Sequence, residues 1–159
     1  MKLMNIWIGI LMTFMLFPSC QSNSKENIDN NSEINNTMNN KFNATPTEEA
    51  GIRKALDAYI EAAVKGDSNI AKPVFSDLAT ISYSENDSLV SSPIQALFDY
   101  YDHTGPHNAE YKITTLEVAG NVAIVRIDSK FGDVSFDDMF SLVKDGNDWK
   151  IVSKVYNVK

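Results

Sequence analysis

The 159-residue chain has one cysteine, five prolines and seven glycines. A lone thiol excludes a disulfide framework. No apolar run approaches the roughly 20 residues that a bilayer-spanning helix needs. Basic residues are scarce as well. Fourteen Lys and Arg against 21 Asp and Glu leave a net charge of -7, which argues against a nucleic-acid partner, because phosphate binding draws on clustered cations. No Gly-rich phosphate loop, HExxH, GxSxG or paired-Cys pattern occurs, so dinucleotide, nucleotide, zinc-protease and serine-hydrolase readings have no support and no cofactor is implied. What is present is a hydrophobic fraction of 43%, too high for a wholly disordered chain. One ordinary domain fits the length.

Residues 1–19 have the layout of an export signal: Lys2, an apolar stretch from Ile6 to Phe17 interrupted by Gly9 and Thr13, then Pro18-Ser19. The single cysteine, Cys20, stands where the apolar stretch ends. Leu16-Phe17-Pro18-Ser19-Cys20 resembles a bacterial lipoprotein lipobox, with Phe17 and Pro18 departing from its usual small residues. That resemblance implies a chain cleaved before Cys20 and acylated on it, held at the membrane through the lipid alone. Gln21 carries no acidic retention signal, which points to the outer membrane of a bacterial envelope and an extracytoplasmic domain. Residues 20–44 contain nine Asn and four Ser or Thr, the composition of a disordered tether.

The domain spans residues 45–159. Thr45-Pro46-Thr47-Glu48 combines a capping Thr, a Pro at the first helical position and a Glu three residues after the cap, which predicts a helix start. Ile52, Leu56, Tyr59, Ile60 and Ala63 recur at helical spacing up to Gly66. A short second helix follows Ser68 and yields at Pro73. Ser92-Pro93 marks the expected start of a third, carrying Ile94, Leu97, Phe98 and Tyr101. Short strands at Ala79–Tyr83 and Ser88–Val90 precede it. Four longer strands follow, separated by Gly120-Asn121, Gly132-Asp133 and Gly146-Asn147, the punctuation of an antiparallel meander.

This order of elements describes an α+β fold in which a curved antiparallel sheet wraps N-terminal helices into a cone. It resembles the nuclear-transport-factor-2-like superfamily and, within it, the putative lumazine-binding family. The resemblance rests on Glu49 to Asp67, on Asp138-Met139-Phe140-Ser141-Leu142-Val143-Lys144 and above all on Trp149-Lys150-Ile151-Val152-Ser153-Lys154-Val155-Tyr156. It implies a small apolar or aromatic ligand inside the cone and supplies Lys154 as a cation near the acidic strand residues.

Asp138 shares strand parity with Phe136, Phe140 and Leu142, so it is the inward candidate and its neighbour Asp137 the outward one. An Asp138–Lys154 pair would either orient a ligand or act as a buried ion pair fixing register. His103 and His107 are the only histidines. Gly105-Pro106 between them prevents one helical face from presenting both, and no metal site is expected. His103, at a helix end, is the better candidate to face a pocket. Tyr59, Phe75, Tyr83, Tyr100, Tyr101 and Tyr156 are numerous enough to line an aromatic pocket, with Tyr59 and Phe75 as its wall and Tyr101 and His103 at its mouth. Three functions remain open: a small-ligand-binding module; an isomerase-, cyclase- or dehydratase-like enzyme using Asp138 with His103 or a tyrosine; and a structural module whose outer sheet face forms a homodimer.

Overall fold

The computed structural model describes residues 43–159; the expected signal, Cys20 and nearly all of the tether lie outside them. Helix α1 runs Pro46–Lys65. The Thr45 hydroxyl accepts the Glu48 N–H at 3.3 Å while Glu48 Oε2 accepts the Thr45 N–H at 2.8 Å, the reciprocal box read from the sequence. Gly66 ends α1 in the left-handed region at φ 63°, where a Cβ would also stand 2.4 Å from the Gly105 carbonyl carbon. Glycine is required there on both counts.

A one-turn helix α2 (Ser68–Ala71) and a 3-10 turn at Lys72–Val74 lead into strands β1 (Phe75–Glu85) and β2 (Ser88–Pro93), then helix α3 (Gln95–Thr104). The first two strands are longer than expected. Ser92 and Pro93 do not cap α3: they pair with Ile81 and Thr80 as the end of β2, and α3 begins behind Ile94 without a side-chain cap. The meander then comprises β3 (Ala109–Ala119), β4 (Val122–Phe131), β5 (Val134–Asp145) and β6 (Asp148–Val158).

The sheet has six strands in the order β2-β1-β6-β5-β4-β3. It is open and mixed rather than wholly antiparallel, because the returning β6 lies parallel to β1. Its pairing is irregular at three places, one of them the register shift between Phe75 and Thr80 where β1 meets β6. Opposite β4, Thr114 is an extra residue between Ile113 and Thr115; opposite β5, Val152 is extra between Ile151 and Ser153. A bulge bends its strand and re-aims the side chains beyond it. Ile113 and Leu116, three residues apart, therefore both face inward, as do Ile151 and Lys154.

Helix α1 fills the concave side, with Ile52, Leu56, Tyr59 and Ala63 fully buried against Leu116, Val125, Phe140, Leu142 and Ile151. Gly51 lets the helix approach Trp149, whose Cδ1 would stand 2.8 Å from a Cβ at that position. Asn43 and Ala44, assigned to the tether by composition, are anchored. Asn43 donates its N–H to the Leu116 carbonyl at 3.3 Å and accepts the Val118 N–H at 2.5 Å.

Candidate functional site: an aromatic cavity over a buried ion pair

Beyond the packed core the cone stays open. A cavity of about 400 Å³ is lined by Ile81 and Tyr83 of β1, Ser92 of β2, four residues of α3 (Ala96, Leu97, Tyr100 and Tyr101), Tyr59 of α1, and Phe131, Phe136, Lys154 and Tyr156 of the meander. Aromatic rings dominate the wall and touch one another edge to face. Tyr59 meets Phe131 at 5.8 Å and Phe140 at 5.3 Å between centroids, and Phe136 meets Tyr156 at 5.7 Å. Tyr83 instead stacks on Tyr156 at 4.9 Å with 29° between planes. These are favourable aromatic geometries.

Beneath the rings lies a polar cluster. Asp138, with no solvent exposure, accepts the Lys154 ammonium on Oδ1 and the Ser129 hydroxyl on Oδ2. Register explains how the three meet. Asp138 pairs with Ile127 on one side and Tyr156 on the other, so Ser129 and Lys154 are its inward diagonal neighbours. The ammonium stands 4.2 Å from the centroid of the Tyr156 ring, a cation–π contact strengthened by exclusion of water. Burial pushes the Lys154 pKa down against the opposing pull of the Asp138 charge. Burial likewise raises the Tyr59, Tyr101 and Tyr156 phenols above their ordinary range, so they face the cavity uncharged at neutral pH.

The residues proposed from sequence fall into three groups. Asp138, Lys154, Tyr59 and Tyr101 converge: three border the cavity and Asp138 lies behind Lys154. Tyr101 also places its hydroxyl 3.5 Å from the Tyr59 carbonyl. Phe75 is buried behind Tyr59, 6.3 Å away ring to ring, and faces a separate hollow with Ser76, Asp77 and Lys150. It is not part of the cavity wall. His103 is exposed on the last turn of α3 and lies outside the lining residues, because α3 turns its Ala96, Leu97, Tyr100 and Tyr101 side inward. At the rim, Tyr100 is half exposed and its hydroxyl is 3.4 Å from His107 Nε2.

Sequence reasoning passed over Ser129, Phe131 and Phe136 as site residues. Their signal was parity: Ser129 and Phe131 continue the inward series Ala123, Val125 and Ile127, and Phe136 belongs with Asp138. Among the described residues no group of three His, Cys, Asp or Glu side chains gathers as a metal site.

A family described as Putative lumazine-binding matches residues 47–157. An NTF2-like protein of unknown function from Shewanella baltica is 36% identical, with 74% of this chain and 98% of that one covered and a TM-score of 0.66. One from Methylobacillus flagellatus is 30% identical over 74% and 96% of the two chains, with a TM-score of 0.67. A ketosteroid isomerase-like protein from Erwinia carotovora shares the fold at 15% identity, covering 72% and 98%, with a TM-score of 0.56. No curated protein sequence matches the chain. By sequence and by fold, the chain belongs to the Putative lumazine-binding family of NTF2-like domains.

Proposed function

We propose that the domain binds a small, largely apolar molecule in the cone and performs no chemistry on it. The observation that carries this reading is the cavity of about 400 Å³ walled by Tyr and Phe rings, with one charged side chain, Lys154, reaching its surface. Concave, mostly apolar sites with a few fixed polar groups are what ligand pockets look like. The family's name points the same way without fixing the ligand. An enzymatic reading built on Asp138 needs its carboxylate to reach the ligand. Asp138 has both oxygens engaged and lies behind Lys154, and His103 faces solvent, which favours binding over acid-base chemistry by these two residues. Mass spectrometry of small molecules released from the purified protein tests the binding reading. A bound species that is lost in Tyr83→Ala and Leu97→Asp variants is expected; a cavity that stays empty in material from its native host, with no melting shift across a ring-compound library, would overturn it.

The sequence supports a setting for this activity: export and lipid attachment through Cys20 in a bacterial envelope, with the domain held outside the cytoplasm. Cys20→Ala is expected to move the protein from the membrane to the soluble fraction. Retention in the membrane would remove the anchor. Ile124, Met139 and Val155, exposed together on the convex face, favour contact with a second copy there, and sedimentation of Met139→Lys against wild type measures whether a dimer depends on them.

A further inference from the structure

The cluster under the cavity restricts what the ligand can be, and this inference rests on the binding reading above. Asp138 and Lys154 carry opposite charges in direct contact. The pair presents no net charge to the cavity, and the lining phenols add none. Asp138 also has no unused face. Lys154 takes one oxygen, Ser129 takes the other, and neither oxygen borders the cavity. What remains is a donor. An ammonium has three N–H groups; Asp138 receives one and the Tyr156 ring centroid lies 4.2 Å from Nζ, while no second hydrogen-bond acceptor meets the ammonium among the described residues. Tyr101 directs its hydroxyl proton to the Tyr59 carbonyl, and no hydrogen bond joins it to Lys154.

We infer that the cavity selects an uncharged planar ring bearing a hydrogen-bond acceptor, a carbonyl or ring nitrogen, which takes a remaining Lys154 N–H while the ring lies among Tyr59, Phe136 and Tyr156. A carboxylate of the same shape is excluded by electrostatics. Its charge would be desolvated beside Asp138, and only one cation, already shared, is there to offset it. A hydrocarbon of the same shape leaves the donor without a partner in a dry site, which costs affinity.

The test uses three probes of one outline, 2-acetylnaphthalene, 2-naphthoate and 2-isopropylnaphthalene, titrated calorimetrically into the purified protein. The ketone is expected to bind about tenfold or more tighter than either of the others, the scale of a hydrogen bond from a charged donor. In Asp138→Asn the cluster loses its anion, so a carboxylate in the cavity becomes the counter-charge that Lys154 lacks and preference should move to 2-naphthoate. If that variant does not fold, the Asp138→Leu/Lys154→Met double variant should bind ketone and hydrocarbon equally. Equal binding of all three probes to wild type would overturn this inference and leave the binding reading intact. Tightest binding of 2-naphthoate would also overturn it, by showing that the pair takes up a proton to admit an anion. Binding of none of the three overturns this inference; the binding reading falls with it only if the protein from its native host is also empty.

Discussion

Followed along β4 and β5, the concave face changes character: Ala123 stands opposite Leu142 and Val125 opposite Phe140, then Ile127 opposite Asp138 and Ser129 opposite Phe136. The first half is sealed by α1, with Ile52, Leu56 and Trp149 closing around it. The second half keeps a cavity, aromatic walls and a buried ion pair. One helix and one set of strands serve both, so the difference lies in side chains. Where aliphatic residues interdigitate at crystal-like density the cone is filled. Where rings meet edge to face around a charged cluster it is not. The filled end supplies stability, and the open end can tolerate charges because the filled end holds their geometry.

The largest expected effect strikes the open end. Lys154→Met leaves Asp138 buried with Ser129 as its remaining hydrogen-bond partner, and breaking one side of a buried pair typically costs about 3–5 kcal/mol. Replacing both partners, as Asp138→Leu with Lys154→Met, is expected to return most of that loss in denaturant melts. A single variant as stable as wild type would mean that the pair contributes nothing to folding, and the contrast between the two ends would collapse.

At the filled end, Leu56→Ala opens a cavity in a site with no exposure and is expected to lower stability by roughly 2–5 kcal/mol while ligand content is unchanged. A smaller loss follows from Gly51→Ala. The added methyl meets Trp149 Cδ1 at 2.8 Å, and overpacking of this kind costs about 1–3 kcal/mol. In protein lacking residues 1–19, and Trp7 with them, Trp149 is the remaining tryptophan, so its emission maximum reports directly whether the helix has been pushed off the sheet. An unshifted spectrum with wild-type stability would show that α1 has slack there.

The two ends were not equally legible in the sequence. The capping box, the α1 burial face and the three hairpin turns announce themselves locally, and each stands where periodicity puts it. The parallel pairing of β1 with β6 joins residues more than seventy positions apart and leaves no local trace. Bulges are the second obstacle. Strict alternation from Trp149 and Ile151 sends Lys154 outward, and only the extra Val152 turns it in; family resemblance, not periodicity, supplied that residue. Asp138 was readable because β5 alternates evenly between Phe136 and Leu142. His103 was misread because a helix end says nothing about which side faces the sheet. Phe75 was misread because inward residues at a strand's start can lie behind a wall rather than on it.

The smallest expected effect sharpens the contrast by loosening the open end alone. On α3, Asp102 accepts the Ser68 N–H at 2.8 Å and the Ser68 hydroxyl at 2.7 Å, tying the helix that forms one cavity wall to the start of α2. Those two bonds hold the carboxyl below its ordinary range. A carboxylate whose folded pKa is depressed contributes stability that is fully present above the unfolded value, about 4, and is lost as pH falls through the lower folded value. Because Asp102 is solvent-exposed, the contribution is small. Asp102→Ala should therefore melt below wild type at pH 6, and the gap should narrow without closing as the pH drops below the carboxylate range, because a protonated Asp102 still accepts from buried Ser68 and alanine does not. At neutral pH the variant should exchange amide hydrogens faster in α3, from Gln95 to Thr104, with no change around Ile52 to Ile60 of α1. Acceleration in both helices would mean that the cone opens as one unit. Acceleration in neither, with ligand retained, would mean that the cavity wall stands without its clamp, held by Phe98 and Tyr101 packing alone.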